Sequence, residues 1–163
     1  MMRHLLFLFV LAPIFGFTQE LKVLRLEYPT ATMDMHTAEA LAKSLADITK
    51  DDDAVLVAYK GALLTVKAKF SGPIKDKKKY FKEGVALLEH AISREPENIE
   101  IRCLRMGVQE NSPKILKYKG NIDEDKNFLL DHYATVQNEE VKELIQGFVR
   151  QSEHFGDAEN QLF

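Results

Sequence analysis

The pattern of apolar and polar positions over Tyr80–Arg105 predicts two helices joined by a tight turn. In the first helix, apolar or small residues recur at spacings of three and four, which places them on one face. These residues are Tyr80, Phe81, Gly84, Leu87, Leu88, Ala91 and Ile92. Pro96 cannot continue this helix because proline lacks the backbone N–H. Asn98 can cap a second helix, which carries Glu100 in its first turn.

The same spacing predicts further helices before this helix–turn–helix corner. A first one ends at about Ile48, and a second runs from Ala54 to about Phe70. The second is apolar over much of its circumference, which indicates a central helix contacted on two sides. A buried strand at Ala54–Tyr59 is the alternative, but the apolar pattern continues for longer than a strand would, with no hairpin turn.

After the corner, acidic first turns predict two more helices, one opening at Asp123 and a last one opening at Glu139 after Asn138. The tail Gln151–Phe163 is expected to fray. The segment Gln19–Pro29 has mixed spacing and leaves a short helix or an extended arm open. The sequence as a whole predicts an all-α fold of about five to seven helices arranged as antiparallel hairpins.

The order of small and large residues before Pro96 resembles the second helix of a tetratricopeptide repeat and the turn that follows it. Gly84 and Ala91 would let two helix axes approach each other, and Leu88 would fill the groove between them. Many antiparallel helix pairs have this order of residues. The resemblance therefore implies closely packed antiparallel helices.

The first helix of such a repeat is found upstream, where Val57 and Gly61 can take the matching large and small positions. Gly61 and Gly84 are 23 residues apart, whereas a standard repeat would have about 12. The match therefore covers roughly Asp51–Asn98 as one degenerate repeat, with longer helices or an enlarged turn.

The chain as a whole resembles a family of uncharacterised secreted or periplasmic bacterial proteins. Besides the leader, the resemblance rests on three stretches, AYKGALLTVKAKF, YFKEGVALLEHAISREPENIEIRCLR and QENSPKILKYKGNIDEDKNF. It covers most of the chain after the leader. It implies an exported helical protein and brings no activity or site residues with it.

The segment Met1–Thr18 predicts a cleaved secretory signal peptide. Arg3 and His4 supply a short positive region, and the apolar run Leu5–Phe17 is shorter than the roughly 20 residues that a membrane span needs. Small residues allow cleavage before Gln19, with an uncleaved anchor as the alternative. We therefore expect a periplasmic or secreted protein with one helical domain over residues 19–150.

Composition adds few constraints on function. The formal net charge of −3 gives no global reason to expect a nucleic-acid partner. Cys103 is the single cysteine, so no intramolecular disulfide can form, and its apolar neighbours favour a buried side chain over a reactive thiol.

The densest charge feature is basic. Seven lysines lie between Lys67 and Lys82, with only Asp76 against them. We predict that Lys77, Lys78 and Lys79 bind an acidic partner, a phosphorylated head group or a polyanionic glycan. The alternative is a solvated turn that merely tolerates charge.

Arg102 and Arg105 lie three residues apart, beside an apolar stripe. We predict that they clamp a carboxylate or phosphate of a ligand in a groove between helices. The alternative is structural ion pairing with Glu97, Glu100 or Glu110, or with a neighbouring helix.

No motif supports catalysis, a metal or a cofactor. The histidines do not have zinc-site spacing, and the paired acids fit helix N-termini. We therefore predict a non-enzymatic protein-interaction or scaffold module of the envelope. One alternative is a small-ligand or lipid-binding protein with a cavity lined by Ala54–Phe70. The other is an enzyme with a noncanonical site that assembles His90, Cys103 and His132.

Overall fold

The computed structural model describes residues 14–163, with side chains described from Gln19 onward. All regular structure in this part of the chain is helical, which confirms the all-α prediction there. The α-helices are α1 (Ile14–Ala31), α2 (Met35–Ser44), α3 (Ala54–Phe70), α4 (Ile74–Arg94), α5 (Ile99–Asn111), α6 (Ile122–His132), α7 (Glu139–Val149) and α8 (Asp157–Asn160). Two 3₁₀ turns lie at Lys114–Leu116 and Tyr133–Thr135.

The predicted leader at Met1–Thr18 lies outside the residues whose side chains the structure describes. The backbone of α1 begins at Ile14, inside that segment. Within the described residues, the search for a helix of sufficient length and apolar character to cross a membrane finds none.

Helix α3 forms the centre of the larger hydrophobic core. Its side chains are buried around most of the helix, and Val57, Ala58 and Leu63 are at most 1% exposed. Asp53 caps its first turn by accepting hydrogen bonds from the backbone N–H groups of Val55 and Leu56. Helices α1, α2, α4 and α5 all pack against it, as its apolar circumference predicts.

Two glycines set the approach of α3 to α4. A Cβ atom added to Gly61 would lie 2.7 Å from the carbonyl oxygen of Gly84 and 2.9 Å from the backbone nitrogen of Leu88. A Cβ atom added to Gly84 would lie 2.5 Å from the carbonyl oxygen of Gly61. The backbones therefore touch at this crossing, which is the role that the sequence predicts for small residues here.

Helix α5 joins this core to a second, smaller one. Asn98 caps α5 through hydrogen bonds from the N–H groups of Glu100 and Ile101, as predicted. Ile101 and Leu104 belong to the core around α3. On another side of α5, Cys103 packs with residues of α6 and α7 in the second core. The predicted burial of Cys103 is thus confirmed, and burial raises the pKa of its thiol.

The segment Gln19–Pro29, for which the sequence leaves two forms open, is ordered by tertiary contacts. Of the two forms open for Gln19–Pro29, the structure has the helix, α1, because Leu24 and Tyr28 lie on one face and pack inward. The Tyr28 and Tyr59 rings meet edge to face, with centroids 5.6 Å apart. Helix α2 ends at Ser44, earlier than the predicted Ile48.

The tail Gln151–Phe163, which we expected to fray, lies against the second core. Phe155 is only 6% exposed, and its ring meets the ring of Phe163 edge to face at 5.5 Å. The Tyr133 hydroxyl donates a hydrogen bond to the carbonyl oxygen of Phe163 at 3.0 Å. These aromatic contacts hold the tail in place without a periodic sequence pattern.

Candidate functional site

The predicted lysine cluster forms one surface, which we call the basic hairpin end. Because α3 ends at Phe70 and α4 begins at Ile74, lysines from both helices gather around the turn that joins them. Its members are Lys67, Lys69, Lys75, Lys77, Lys78, Lys79 and Lys82. All seven are exposed, and none forms an ion pair among the residues from 19 to 163.

Neighbouring groups position part of this surface. The Lys67 ammonium lies 4.4 Å from the centroid of the Tyr80 ring, a cation–π contact that joins α3 to α4. Lys69 donates a hydrogen bond to the carbonyl oxygen of Thr32 at 2.8 Å. Helix α4 begins after Pro73 with no side-chain cap, so its first N–H groups add positive potential. The surface therefore favours anionic groups.

Arg102 and Arg105 are buried and form ion pairs with a neighbouring helix. This is the structural ion pairing that the sequence analysis gives as the alternative to a ligand clamp. Their guanidinium groups share Asp125 of α6, at 3.0 Å from Arg102 and at 2.7 Å from Arg105. Arg102 also pairs with Glu124 at 2.8 Å, and Arg105 pairs with Glu89 at 3.3 Å. No described ion pair or hydrogen bond connects them to the basic hairpin end. Their guanidinium groups are thus taken up by carboxylates of the chain itself.

Asp125 is the counter-ion that the sequence interpretation missed. From the sequence, Asp125 is an acid in the first turn of α6, where the helix dipole favours negative charge. In the structure it is 0% exposed and faces two arginines. Burial alone would lower the pKa of Arg105, but hydrogen bonds and charge attraction from Asp125 outweigh burial and raise it. The network joins α5 to α6 and is structural.

Glu124 gives this network a dependence on pH. Hydrogen bonds from Arg102 and Asn121 hold the pKa of Glu124 below its usual value. A carboxylate with a lowered folded-state pKa stabilises the fold above its unfolded pKa and loses that contribution as the pH falls through the folded value. We therefore expect the free energy of unfolding, measured in urea, to fall between about pH 5 and about pH 3. Glu124→Gln should reduce the size of that fall, and an equal fall in both proteins would contradict the role of Glu124.

A second buried network was also missed from the sequence. Glu100 is 3% exposed and accepts two hydrogen bonds from Arg25 of α1, both at 2.8 Å. The buried Tyr59 hydroxyl donates a third hydrogen bond to Glu100, also at 2.8 Å. Burial raises the pKa of Tyr59, and the neighbouring Glu100 carboxylate raises it further. This network ties α1 and α3 to the start of α5.

Two open clefts lie near the N-termini of α5 and α7. One of about 460 Å³ is lined by residues 97–100 and by residues of the segment from His132 to Val141. The other, of about 420 Å³, lies between α1 and the start of α7. Neither is lined by α3, from which the small-ligand alternative would take its cavity.

The candidate residues of the enzyme alternative have separate local roles. His90 contacts the carbonyl oxygen of Lys50 at 3.0 Å, and the His132 ring stacks on Phe128 at 3.9 Å. Cys103 is buried in the second core. Among the described residues, no group of three or more histidine, cysteine or acidic side chains is arranged to hold a metal ion.

Comparison of the chain with protein-family models, with curated proteins and with solved structures finds no match in any of the three. Within residues 19–163, the basic hairpin end is where charges of one sign are most concentrated and without ion-pair partners.

Proposed function

We propose that this chain is an exported protein-interaction or scaffold module of the bacterial envelope, and that it docks an acidic segment of a partner protein on the basic hairpin end. The observation that supports this proposal is the set of seven exposed lysines without ion-pair partners in residues 19–163. Positive charge concentrated in this way attracts carboxylates and speeds association with an acidic partner.

The lysines on α4 are placed unfavourably for that helix, whereas Lys67 and Lys69 lie in the last turn of α3, where the dipole favours cations. Lys75 and Lys79 are four residues apart on α4, as are Lys78 and Lys82, and like charges at this spacing destabilise a helix slightly. Lys75 and Lys77 also lie in the first turn of α4, near the positive end of the helix dipole, where acids are preferred. The charges on α4 are therefore better explained by binding than by stability.

Charge reversal tests the proposal. We expect Lys78→Glu/Lys79→Glu to lose capture of its protein partner from envelope extract, because the variant replaces attraction by repulsion. The two glutamates would lie four residues from Lys82 and Lys75, and opposite charges at this spacing support a helix, so this variant should fold as well as the parent. Affinity capture with chemical crosslinking, followed by mass spectrometry, measures the loss.

A matched control makes the same change in net charge at the other end of the α3–α4 hairpin. Lys43 is in the last turn of α2 and Lys50 lies near the start of α3, and both are exposed. Lys43→Glu/Lys50→Glu should therefore capture the partner as the parent does. Equal capture by all three proteins would exclude the basic hairpin end as the docking surface.

A further inference from the structure

The segment Lys114–Lys117, which we call the KILK segment, presents large aliphatic side chains to solvent. Ile115 is 86% exposed, the highest value among the exposed large apolar residues of the described chain. Leu116 is 37% exposed, and the flanking Lys114 and Lys117 are exposed as well. Isoleucine in this position gives the fold little burial energy, so its side chain is available for a contact outside the chain.

The KILK segment is held in place by its neighbours. Directly after it, Tyr118 donates a hydrogen bond to Glu89 at 2.5 Å, and its ring meets that of Phe81 edge to face at 6.0 Å. Lys117 has a φ of 51°, in the left-handed region that non-glycine residues rarely adopt. These contacts anchor the chain directly after the KILK segment, while Ile115 itself is exposed.

One face of α4, near the contact of Phe81 with Tyr118, carries similar side chains. Ile74, Lys78 and Phe81 follow one another at spacings of four and three, so they share one face of the helix. The contact of Tyr118 with Phe81 places the residue directly after the KILK segment beside that face. Ile74, at its start, is 71% exposed. Aliphatic, lysine and aromatic side chains therefore follow one another along this face of α4.

We propose that the KILK segment docks on an anionic lipid bilayer, with Ile115 and Leu116 entering the boundary between head groups and acyl chains. Lysines beside a bilayer gain attraction from lipid phosphates, and aliphatic side chains gain burial among the acyl chains. A bilayer needs no preformed complementary pocket, which suits two aliphatic side chains on an exposed turn. This inference goes beyond the proposed protein docking, because it rests on Lys114–Lys117, none of which belongs to the basic hairpin end, although Lys78 of the nearby α4 face does.

Vesicle flotation tests the inference with the full chain. The probes are vesicles of phosphatidylcholine and phosphatidylglycerol in equal parts, and vesicles of phosphatidylcholine alone. We expect binding to the anionic vesicles only. Ile115→Ser/Leu116→Ser should weaken it on the order of tenfold through lost apolar burial. Lys114→Gln/Lys117→Gln should weaken it by about fivefold for each lysine.

Leu162→Ser is the matched control, because Leu162 is also exposed, at 63%, but lies in the tail. It should bind anionic vesicles as the parent does. All substitutions are at exposed positions, and thermal melting checks that each variant is folded. Three results would each overturn the inference: no binding of the parent to anionic vesicles, equal binding to both kinds of vesicle, or unchanged binding by Ile115→Ser/Leu116→Ser. In the last case the lysines alone bind phosphate, and the aliphatic side chains serve another contact, such as one with a protein.

Discussion

Gly61→Ala is expected to destabilise the protein by about 3 kcal/mol or more, at the upper end of the cost of overpacking. The new methyl group would overlap the carbonyl oxygen of Gly84 and the backbone nitrogen of Leu88, at 2.7 and 2.9 Å. These are backbone atoms, which cannot turn aside as a flexible side chain can. Helices α3 and α4 would have to move apart over their whole contact.

Urea denaturation followed by circular dichroism measures this effect, and Gly147→Ala is its control. Gly147 lies inside α7, and a Cβ atom there would meet nothing within 4 Å. The same substitution should therefore stabilise the protein by about 0.5–1 kcal/mol, because alanine favours helix over glycine. A Gly61→Ala protein as stable as the parent would contradict the close approach of α3 to α4.

Asp125→Asn is expected to destabilise the protein by about 3–5 kcal/mol, the usual cost of breaking a buried ion pair by removing one partner. The asparagine side chain keeps the size of the aspartate but removes the charge that both arginines share. Arg102 and Arg105 are 7% and 4% exposed, so water would compensate them poorly. The remaining partners, Glu124 and Glu89, are more exposed and neutralise the arginines less well.

Asp123→Asn is the control for this measurement, because Asp123 lies in the same first turn of α6 but is exposed. It should change the free energy of unfolding by no more than about 0.5 kcal/mol. Similar small effects of Asp123→Asn and Asp125→Asn would show that the arginines do not depend on Asp125. The contrast separates a buried counter-ion from an acid that only favours a helix N-terminus.

The sequence predicts the elements whose signals are local. Helix α3 has the predicted bounds Ala54–Phe70, and Asn98 caps α5, because apolar period and capping chemistry are both determined by near neighbours. The predicted meeting of small residues is also found, between Gly61 and Gly84. Its relation to a true tetratricopeptide repeat stays a prediction.

Features that depend on distant partners could not be predicted in the same way. Asp125 reads as a first-turn acid, and only the packing of α6 on α5 turns it into the counter-ion of two arginines. Glu100 likewise reads as a first-turn acid, although it is buried against Arg25 and Tyr59. The local sequence signal for such a partner is the position of Arg102 and Arg105 beside an apolar stripe, because buried arginines need a carboxylate nearby.

The candidate surfaces also differ in whether local sequence signals are enough to predict them. The sequence places Lys77, Lys78 and Lys79 together because they are consecutive, and their exposure follows from the start of an amphipathic helix. The sequence does not distinguish the KILK segment, because Ile115 and Leu116 have no periodic apolar partners and resemble an ordinary short turn. Their exposure, and the contact of Tyr118 with Phe81, became visible only in the folded chain.

The most direct test of docking at the basic hairpin end is site-specific photocrosslinking in envelope extract. A photoreactive amino acid placed at Lys82 lies on that surface, and one placed at Asp131 lies on the exposed side of α6. We predict one specific protein adduct from position 82, none from position 131, and loss of the first when Lys78→Glu/Lys79→Glu is added. An adduct from position 131 alone, or one from position 82 that persists after charge reversal, would contradict docking through the lysines.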